Sequence, residues 1–156
     1  MTDVSFSLRS FQQAVRANAA DLHSSATDRN LLFHLDRPGE GVTRLTFARM
    51  KGRTVTAMVM FTQVQHYEGK PCYQIGYAVP RRYQKQGRAK EIVAAAVKEF
   101  TSGMKRRVPE FYIEAIIDAQ NRASQRVAEQ LISDSPKEVT DKIAGVPALQ
   151  YVKHIK

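Results

Sequence analysis

Apolar residues recur at helical spacing in three segments of the chain. Phe11, Ala14, Val15 and Leu22 stand at spacings near three, four and seven, which predicts an amphipathic helix over Phe11–Leu22. The clearest helical pattern begins at Ala89 and ends near Thr101–Gly103, and a third follows Asp118. The apolar positions of these two helices are Ala89, Ile92, Val93, Ala96, Val97 and Phe100, and then Ala123, Val127, Leu131 and Ile132.

Alternation and β-branched residues predict three consecutive strands in the middle of the chain. Val42–Arg49 alternates, a Lys51-Gly52 turn follows, and Thr54–Val64 is rich in large apolar residues, which together indicate a hairpin. A turn at Glu68–Pro71 leads into Cys72–Val79, and Pro80 ends that strand because it cannot donate to a sheet ladder. These three strands are expected to be antiparallel neighbours.

The remaining segments complete a mixed pattern of strands and helices. Phe111–Ile117 is short, apolar and rich in isoleucine, so that a strand, a helix and a strand follow one another, as in a parallel βαβ unit. Glu138–Ala144 and Ala148–Ile155 are predicted to form a closing hairpin. The polar cluster Ser24–Asp28, the short apolar run Leu31–Phe33 and the breaker Arg37–Gly39 are interpreted as a loop with room for a second short helix.

Composition narrows the class of protein and of partner. A chain of 156 residues, 43% hydrophobic and 25% charged, suits one domain over residues 1–156 and excludes a disulfide-stabilised mini-protein. The 24 basic and 15 acidic residues give a net charge of +9, which favours a phosphorylated cofactor, RNA or an acidic membrane face as partner. The single cysteine, Cys72, requires no oxidising compartment, and Met1–Ser10 has no apolar signal core. We therefore expect a soluble, cytoplasmic protein without a membrane span, monomeric or homodimeric.

The segment between the third predicted strand and the clearest helix carries the strongest chemical signal. It contains five basic residues and no acidic one, and it enters the helix through Gly87. A helix start offers unpaired amides and a positive dipole end, and glycine lets a phosphate approach the backbone, so the segment suits a pyrophosphate. On charge alone, a solvated basic loop is the preferred interpretation, since one glycine after a strand is a weak signal. The basic residues are Arg81, Arg82, Lys85, Arg88 and Lys90.

Three motifs resemble those of the GNAT N-acetyltransferase superfamily. Gln84–Ala89 matches the signature Q/R-x-x-G-x-G/A between a strand and a helix, where that family has it. Gln74–Val79 resembles the strand E-I-G-Y-x-V of the subgroup that includes ribosomal-protein N-terminal acetyltransferases. Ile113–Ser124 resembles the next strand of the family and its N-x-x-S helix start. The resemblance covers roughly Cys72 to Ile132, with the motifs in the family's order.

The resemblance implies a single-domain α/β fold, with a mixed, mostly antiparallel sheet of six or seven strands flanked by helices, and acetyl-CoA as cosubstrate. In the family, the strands that correspond to Tyr73–Val79 and Phe111–Ile117 splay apart and form a slot for the cofactor arm. Ala78 and Val79 are expected to pair with the pantetheine amides. The residues expected to hold the pyrophosphate are Gln84, Lys85, Gln86, Gly87, Arg88 and Ala89.

The implied reaction is direct attack of an amine on the CoA thioester, which needs a base, a polarised carbonyl and an acid for the departing thiolate. Ser124 is the candidate acid, or else a residue that caps the helix start, and Asn121 is a cofactor contact, the N-cap, or both. Many relatives carry a glutamate where this chain has Gln74, which accepts no proton at neutral pH. Glu114 is a candidate base through water, or faces away from the slot or pairs with a cation. Tyr151 is a candidate acid or acceptor-site wall, or a packing residue.

The acceptor and even the activity remain open at this level. Relatives usually continue after the last motif with glycine and phenylalanine, whereas this chain has Leu131–Asp134. We therefore expect its acceptor wall to differ from that of the subgroup. The acceptor is expected to bind between Phe11–Phe33 and the closing hairpin. Candidate acceptors are a protein N-terminus or lysine, a small amine, or an RNA-linked amine such as aminoacyl-tRNA. Because position 74 lacks a glutamate, a non-catalytic acyl-CoA sensor is the alternative. Nucleic-acid binding without CoA is disfavoured, since Tyr83 is the sole aromatic in the basic segment, and the histidines show no metal-ligand spacing.

Overall fold

Eight strands form one sheet in the computed structural model of the chain, which describes residues 4–156. The helices are α1 (Val4–Arg16), α2 (Arg88–Met104) and α3 (Arg122–Leu131), and a 3₁₀ turn spans Arg81–Tyr83. The strands are β1 (His23–Ser24), β2 (Leu32–Gly39), β3 (Val42–Lys51), β4 (Thr54–Tyr67), β5 (Lys70–Ala78), β6 (Phe111–Asp118), β7 (Lys137–Thr140) and β8 (Pro147–Ile155).

The strand order is β1-β2-β3-β4-β5-β6-β8-β7, and every neighbouring pair is antiparallel except β5 and β6. This order confirms the predicted hairpin of β3 and β4, the antiparallel neighbour β5, and the parallel unit of β5, α2 and β6. The closing hairpin enters the sheet through β8, which lies between β6 and β7. The mixed α/β fold class is therefore confirmed, with eight strands where six or seven were expected, because β2 and the two-residue β1 extend the sheet.

Helices cover both faces of the sheet because apolar side chains alternate along its central strands. On β6, the side chains of Phe111, Ile113, Ala115 and Ile117 are fully buried, while the intervening residues are half-buried. Helix α2 packs on this face, where the rings of Phe100 and Phe61 stack with centroids 4.0 Å apart. Helix α1 covers the opposite face. The buried residues of that second core are Val4, Phe11, Val15, Ala48, Val55, Met58 and Met60.

The first helix differs from its predicted bounds, since it begins at or before Val4 and ends at Arg16 rather than at Leu22. Asn18 adopts a left-handed conformation with φ of 55°. The amide of Ala19 then donates back to the carbonyl of Ala14 at 2.8 Å, which is the hydrogen-bond pattern of a helix C-cap. Helical spacing alone overlooked this stop because asparagine, like glycine, tolerates the left-handed region.

The prediction of a loop with a second short helix between Ser24 and Gly39 was wrong, because this segment forms β1 and β2. Leu32 pairs with Ala48 and Asp36 with Arg44, so β2 is the outer neighbour of β3 along most of its length. The predicted strand Glu138–Ala144 is also shorter, since β7 ends at Thr140. The carboxylate of Asp141 accepts the amides of Ile143 (2.9 Å) and Ala144 (3.1 Å), which forms a turn there.

None of the helices within residues 4–156 is long and apolar enough to cross a bilayer. The absence of a signal core in Met1–Ser10 stays a sequence prediction, because residues 1–3 lie outside the described part.

A single arginine joins three elements on the α2 side of the sheet. Arg49 of β3 donates to both carboxylate oxygens of Glu91 on α2, at 2.9 and 2.6 Å. It also donates to both carboxylate oxygens of Asp28, at 3.1 and 2.7 Å. The hydrogen bond from Arg49 lowers the pKa of Asp28, and the two carboxylates together raise the pKa of Arg49. The 18% exposure of Arg49 shields this network partly from solvent.

Replacing Arg49 by leucine is expected to lower the free energy of unfolding by about 2 kcal/mol at pH 7, because it removes four hydrogen bonds to two carboxylates. The lowered pKa of Asp28 makes its contribution complete above the unfolded value of about 3.9, and that contribution is lost as the pH falls through the folded pKa. Urea unfolding at pH 7 and pH 3 measures both effects. The exposed Arg29→Leu variant is the control, and an equal loss in the two variants contradicts the prediction.

Candidate active site

The two parallel strands at the centre of the sheet pair over only part of their length. Pairing between β5 and β6 runs from Cys72 with Tyr112 to Gln74 with Glu114, although the strands continue to Ala78 and Asp118. Beyond that last pair, no ladder joins them. The strands therefore diverge, and a slot opens between their carboxyl ends, which is where ligands bind in parallel sheets.

The segment after β5 borders this slot, and its backbone has two left-handed residues. Lys85 and Gly87 both have left-handed backbones, with φ of 61° and 75°. Gly87 is the N-cap of α2, and no side chain caps the first turn of the helix. The side chain of Gln84 donates to the carbonyl of Val79 at 2.9 Å, which ties the loop to the end of β5. Uncapped amides and the positive end of the helix dipole thus lie together at the start of α2, an arrangement that favours an anion.

A cleft of about 740 Å³ lies at the open end of the slot. It brings together nine of the ten residues that the sequence predicted to bind the cofactor. Its remaining walls come from the first turns of α1, from Tyr77, and from the start of α3. The nine residues are Ala78, Val79, Gln84, Lys85, Gly87, Arg88, Ala89, Asn121 and Ser124. The tenth, Gln86, lies outside the cleft and accepts a hydrogen bond from Arg88 at 3.2 Å.

The start of α3 separates the two roles considered for Asn121 and Ser124. The side-chain oxygen of Asn121 accepts the amide of Ser124 at 3.2 Å, so Asn121 is the N-cap. Ser124 is half-buried within the first helical turn and lines the cleft. Its hydroxyl forms no hydrogen bond within residues 4–156. The capping interpretation of Ser124 is therefore wrong, and the hydroxyl is available to a ligand.

Sequence reasoning missed Tyr77, which joins the two walls of the slot. Its hydroxyl donates to the backbone carbonyl of Ser124 at 2.5 Å, from the end of β5 to the first turn of α3. The residue is 4% exposed, and burial together with the neighbouring phenol of Tyr151 raises the pKa of Tyr77. The apolar character of β5 made Tyr77 resemble an ordinary core residue. No sequence signal marked its contact with Ser124, because the two residues are 47 positions apart.

Glu114 lies outside the cleft, at the closed end of the slot. Its carboxylate accepts the side-chain amide of Gln150 at 2.8 Å and is 3.5 Å from that of Gln74. The three side chains line a second cavity of about 580 Å³ on the α1 face of the sheet. Along β6, Glu114 is followed on the same face by Ile116 of this cavity and by Asp118 of the cleft. The expected cation partner of Glu114 is replaced by two amides.

Tyr151 lies in the core between the sheet and the helices. It pairs with Ala115 on the buried face of β6 and is fully buried. Its hydroxyl has no hydrogen-bond partner in the described chain. Burial is the main cause of the raised pKa of Tyr151, and the charge of Glu129 adds to it. This surrounding favours the packing interpretation of Tyr151.

The thiol of Cys72 is not reactive, and the basic side chains near the cleft mouth surround an aromatic ring. Cys72 is fully buried, and burial raises the pKa of its thiol to about 12, so it stays protonated at neutral pH. Arg82 and Arg88 lie over the ring of Tyr83 at 5.6 and 5.0 Å from its centroid. The mouth of the cleft is thus cationic, and Cys72 supplies no nucleophile.

Comparison with known proteins agrees with this geometry. The family model described as an acetyltransferase (GNAT) domain matches residues 3–131. No curated protein matches the chain. Among solved structures, the chain is similar to an acetyltransferase of the GNAT family from Streptococcus pneumoniae, with a TM-score of 0.55, 13% identity, and coverage of 72% of this chain and 67% of the other.

Two further solved structures share the fold. For the ribosomal-protein-S5-alanine acetyltransferase from Vibrio fischeri, the TM-score is 0.54 at 14% identity, with 72% of this chain and 61% of the other covered. For the NatC complex bound to Gag peptide and CoA, the TM-score is 0.52 at 12% identity, with 82% of this chain and 72% of the other covered.

The two buried tyrosines provide a matched test of the contact across the slot. Tyr77→Phe is expected to lower the free energy of unfolding by about 1 kcal/mol, because it removes a partly buried hydrogen bond between β5 and α3. Tyr151→Phe is expected to be neutral or stabilising, since its hydroxyl has no partner within residues 4–156. Urea unfolding of both variants measures the difference. A larger loss for Tyr151→Phe refutes this account.

Proposed function

The chain belongs to the GNAT acetyltransferase family, and from this membership we propose that it moves an acetyl group from acetyl-CoA to a primary amine by direct attack. The observation that carries the proposal is the slot between β5 and β6, which opens onto the uncapped start of α2. Acetyl-CoA supplies the activated acetyl group. We propose further that residues 1–156 act as one N-acetyltransferase domain.

The cleft residues suit the two ends of the cosubstrate differently. The amides from Gln84 to Ala89, with the left-handed Gly87 among them, are proposed to hold the pyrophosphate. The cations Lys85, Arg88 and Lys90 line the same wall and neutralise its charge. The backbone of Ala78 and Val79 is proposed to pair with the pantetheine arm. Because the carbonyl of Val79 already accepts from Gln84, the free groups of this strand end carry that pairing.

Two side chains are proposed to move the protons of the reaction. Ser124 lines the cleft with a free hydroxyl, which suits donation to the departing thiolate. Glu114, at the closed end of the slot, is proposed to accept the proton of the attacking amine through water. The amides of Gln74 and Gln150 hold its carboxylate in place from two sides. Tyr151 was the third candidate, but its burial away from the cleft gives it no contact with the reacting groups.

The position of Glu114 also weakens the case for a non-catalytic sensor. That alternative rested on glutamine at position 74, where many relatives have a glutamate. In this chain Gln74 and Glu114 are direct neighbours across the last β5–β6 pair, so the adjacent strand supplies a carboxylate beside position 74. The cavity around Glu114 lies between the β4–β5 hairpin and the turn at 141–143, and it is proposed to admit the amine.

The phosphate-binding assignment is tested by two substitutions at one position. A Cβ at Gly87 meets no atom within 4 Å, so Gly87→Ala measures only the strain of the left-handed backbone. We expect Gly87→Ala to retain CoA binding within about tenfold, whereas Gly87→Glu weakens it by about a hundredfold or more through charge repulsion. Calorimetric titration with CoA measures both. Unchanged affinity in Gly87→Glu overturns the assignment.

The proton-transfer roles are tested by steady-state release of free CoA thiol, with a panel of peptides, polyamines and aminoacylated tRNA as acceptors. We expect Ser124→Ala to lower kcat by about a hundredfold while the KM for acetyl-CoA stays unchanged. We expect Glu114→Gln to lower kcat by about a hundredfold, because an amide accepts no proton from the attacking amine.

The exposed Glu138→Gln variant is the control for both substitutions and is expected to behave as the wild type. Wild-type kinetics in Ser124→Ala and Glu114→Gln remove these roles. Thiol release with none of the acceptors contradicts the proposed function itself.

A further inference from the structure

A second groove, of about 720 Å³, runs beside the candidate active site between α1 and the segment after β5. It shares Ser5, Leu8, Val79, Tyr83 and Gln84 with the cleft, so the two spaces adjoin. Its floor is the start of β4, at Thr54 and Val55. The roles proposed above for the cleft leave this groove without a ligand.

Hydrogen bonds fix both walls of the groove. On the α1 wall, the side chain of Gln12 accepts the amide of Val55 at 2.7 Å and donates to the carbonyl of Arg53 at 2.9 Å. The opposite wall is the 3₁₀ turn, where the amide of Tyr83 donates to the carbonyl of Pro80 at 2.8 Å. The groove is therefore a formed feature of the fold, and its side chains project from anchored backbone.

The groove concentrates positive charge without compensation. Arg9 and Arg16 line it from α1, and Arg81 and Arg82 line it from the 3₁₀ turn. Of the residues within 4–156 that line it, none is acidic, and none of the four arginines forms an ion pair there. Two arginines of β3, by contrast, are neutralised locally, Arg44 by Asp36 at 2.6 Å and Arg49 by Asp28 and Glu91. Four unpaired guanidinium groups on two facing walls form a site for an anion.

The spacing of these arginines selects an extended anion. Arg9 and Arg16 are seven residues apart on one helix, which corresponds to about 10 Å along its axis. One phosphate contacts only one end of such a row, whereas the successive phosphates of a nucleic-acid strand contact both. The groove also ends at the cleft, so a strand lying in it brings its own terminus towards the acetyl group.

We propose that this groove binds the phosphate backbone of a single-stranded RNA end that carries the acceptor amine. The inference rests on the proposed function for its catalytic meaning, but strand binding is measurable without catalysis. Tyr83 is the one aromatic side chain that lines the groove within residues 4–156, so contact is made through phosphates and depends little on base sequence.

The experiment measures the affinity of a fluorescent single-stranded RNA 12-mer for the CoA-saturated protein by anisotropy, at several salt concentrations. Two double variants each remove two charges from the groove: Arg9→Gln with Arg16→Gln, and Arg81→Gln with Arg82→Gln. The matched control, Arg106→Gln with Arg107→Gln, removes two charges at the far end of α2. Thermal melting confirms that each variant is folded, and calorimetry measures its CoA affinity.

We expect each groove variant to bind RNA about tenfold or more weakly, with a salt slope lower by about 0.7 for each lost phosphate contact. We expect the control variant to bind RNA as the wild type does, and CoA affinity to be unchanged in the control variant and in the variant of Arg9 and Arg16. Equal loss in the groove and control variants reduces the binding to net charge and overturns the proposal. So does weakened CoA binding with unchanged RNA binding, which assigns the arginines to a CoA phosphate.

An oligoglutamate of equal charge that competes as well as RNA also overturns the proposal, since the groove then recognises acidic peptide. Failure of CoA binding in the wild type counts against the proposed function instead, and is thereby distinguished from failure of RNA binding.

Discussion

The slot depends on how early the pairing of two parallel strands ends. A parallel ladder over the whole of β5 and β6 would close the sheet and leave no entry between the strands. Three residue pairs hold them together at one end, and β4 and β8 bind their outer edges along most of their length. The strands thus remain part of one sheet while their carboxyl ends separate. The cleft, the loop that faces it and the placement of Glu114 all follow from this divergence.

The gap that results leaves backbone groups without a ladder, and two contacts keep its walls in position. Tyr77 reaches from β5 to the carbonyl of Ser124 at the start of α3, across the space where strand pairing is absent. At the closed end, Gln74 and Gln150 meet on the carboxylate of Glu114 from the two neighbouring strands. Buried hydrogen bonds of this kind set a distance between elements as well as adding stability. The width of the slot is therefore specified by side chains at both of its ends.

Sequence patterns predicted the parts of the fold whose residues agree locally with their final structure. Helix α2 and strands β3 to β6 combine a clear period with breakers at their ends, and each was predicted close to its observed bounds. The predicted end of α1 was wrong because the helix stops at the left-handed backbone of Asn18. Strand β2 was not predicted because its apolar run is short and its pairing with β3 is non-local. The role of Tyr77 had no local signal, since the contact joins residues 47 positions apart. The loop at Gln84–Ala89, by contrast, was identified from the sequence by the spacing of its motif and by its place between a strand and a helix.

The basic side chains of this protein differ in whether they have partners within the fold. Away from the cleft, two arginines hold elements of the fold together: Arg49 bridges two carboxylates, and Arg53 donates to the last carbonyls of α1. Around the cleft mouth, Arg82 and Arg88 lie over the ring of Tyr83, and Arg88 also donates to Gln86, but neither forms an ion pair within residues 4–156. Leaving like charges close together disfavours the empty protein, and a bound polyanion removes that repulsion. Since the anion site at the start of α2 occupies only one wall, the arginines of the adjoining groove are best explained by a second anionic ligand that reaches the same reaction centre.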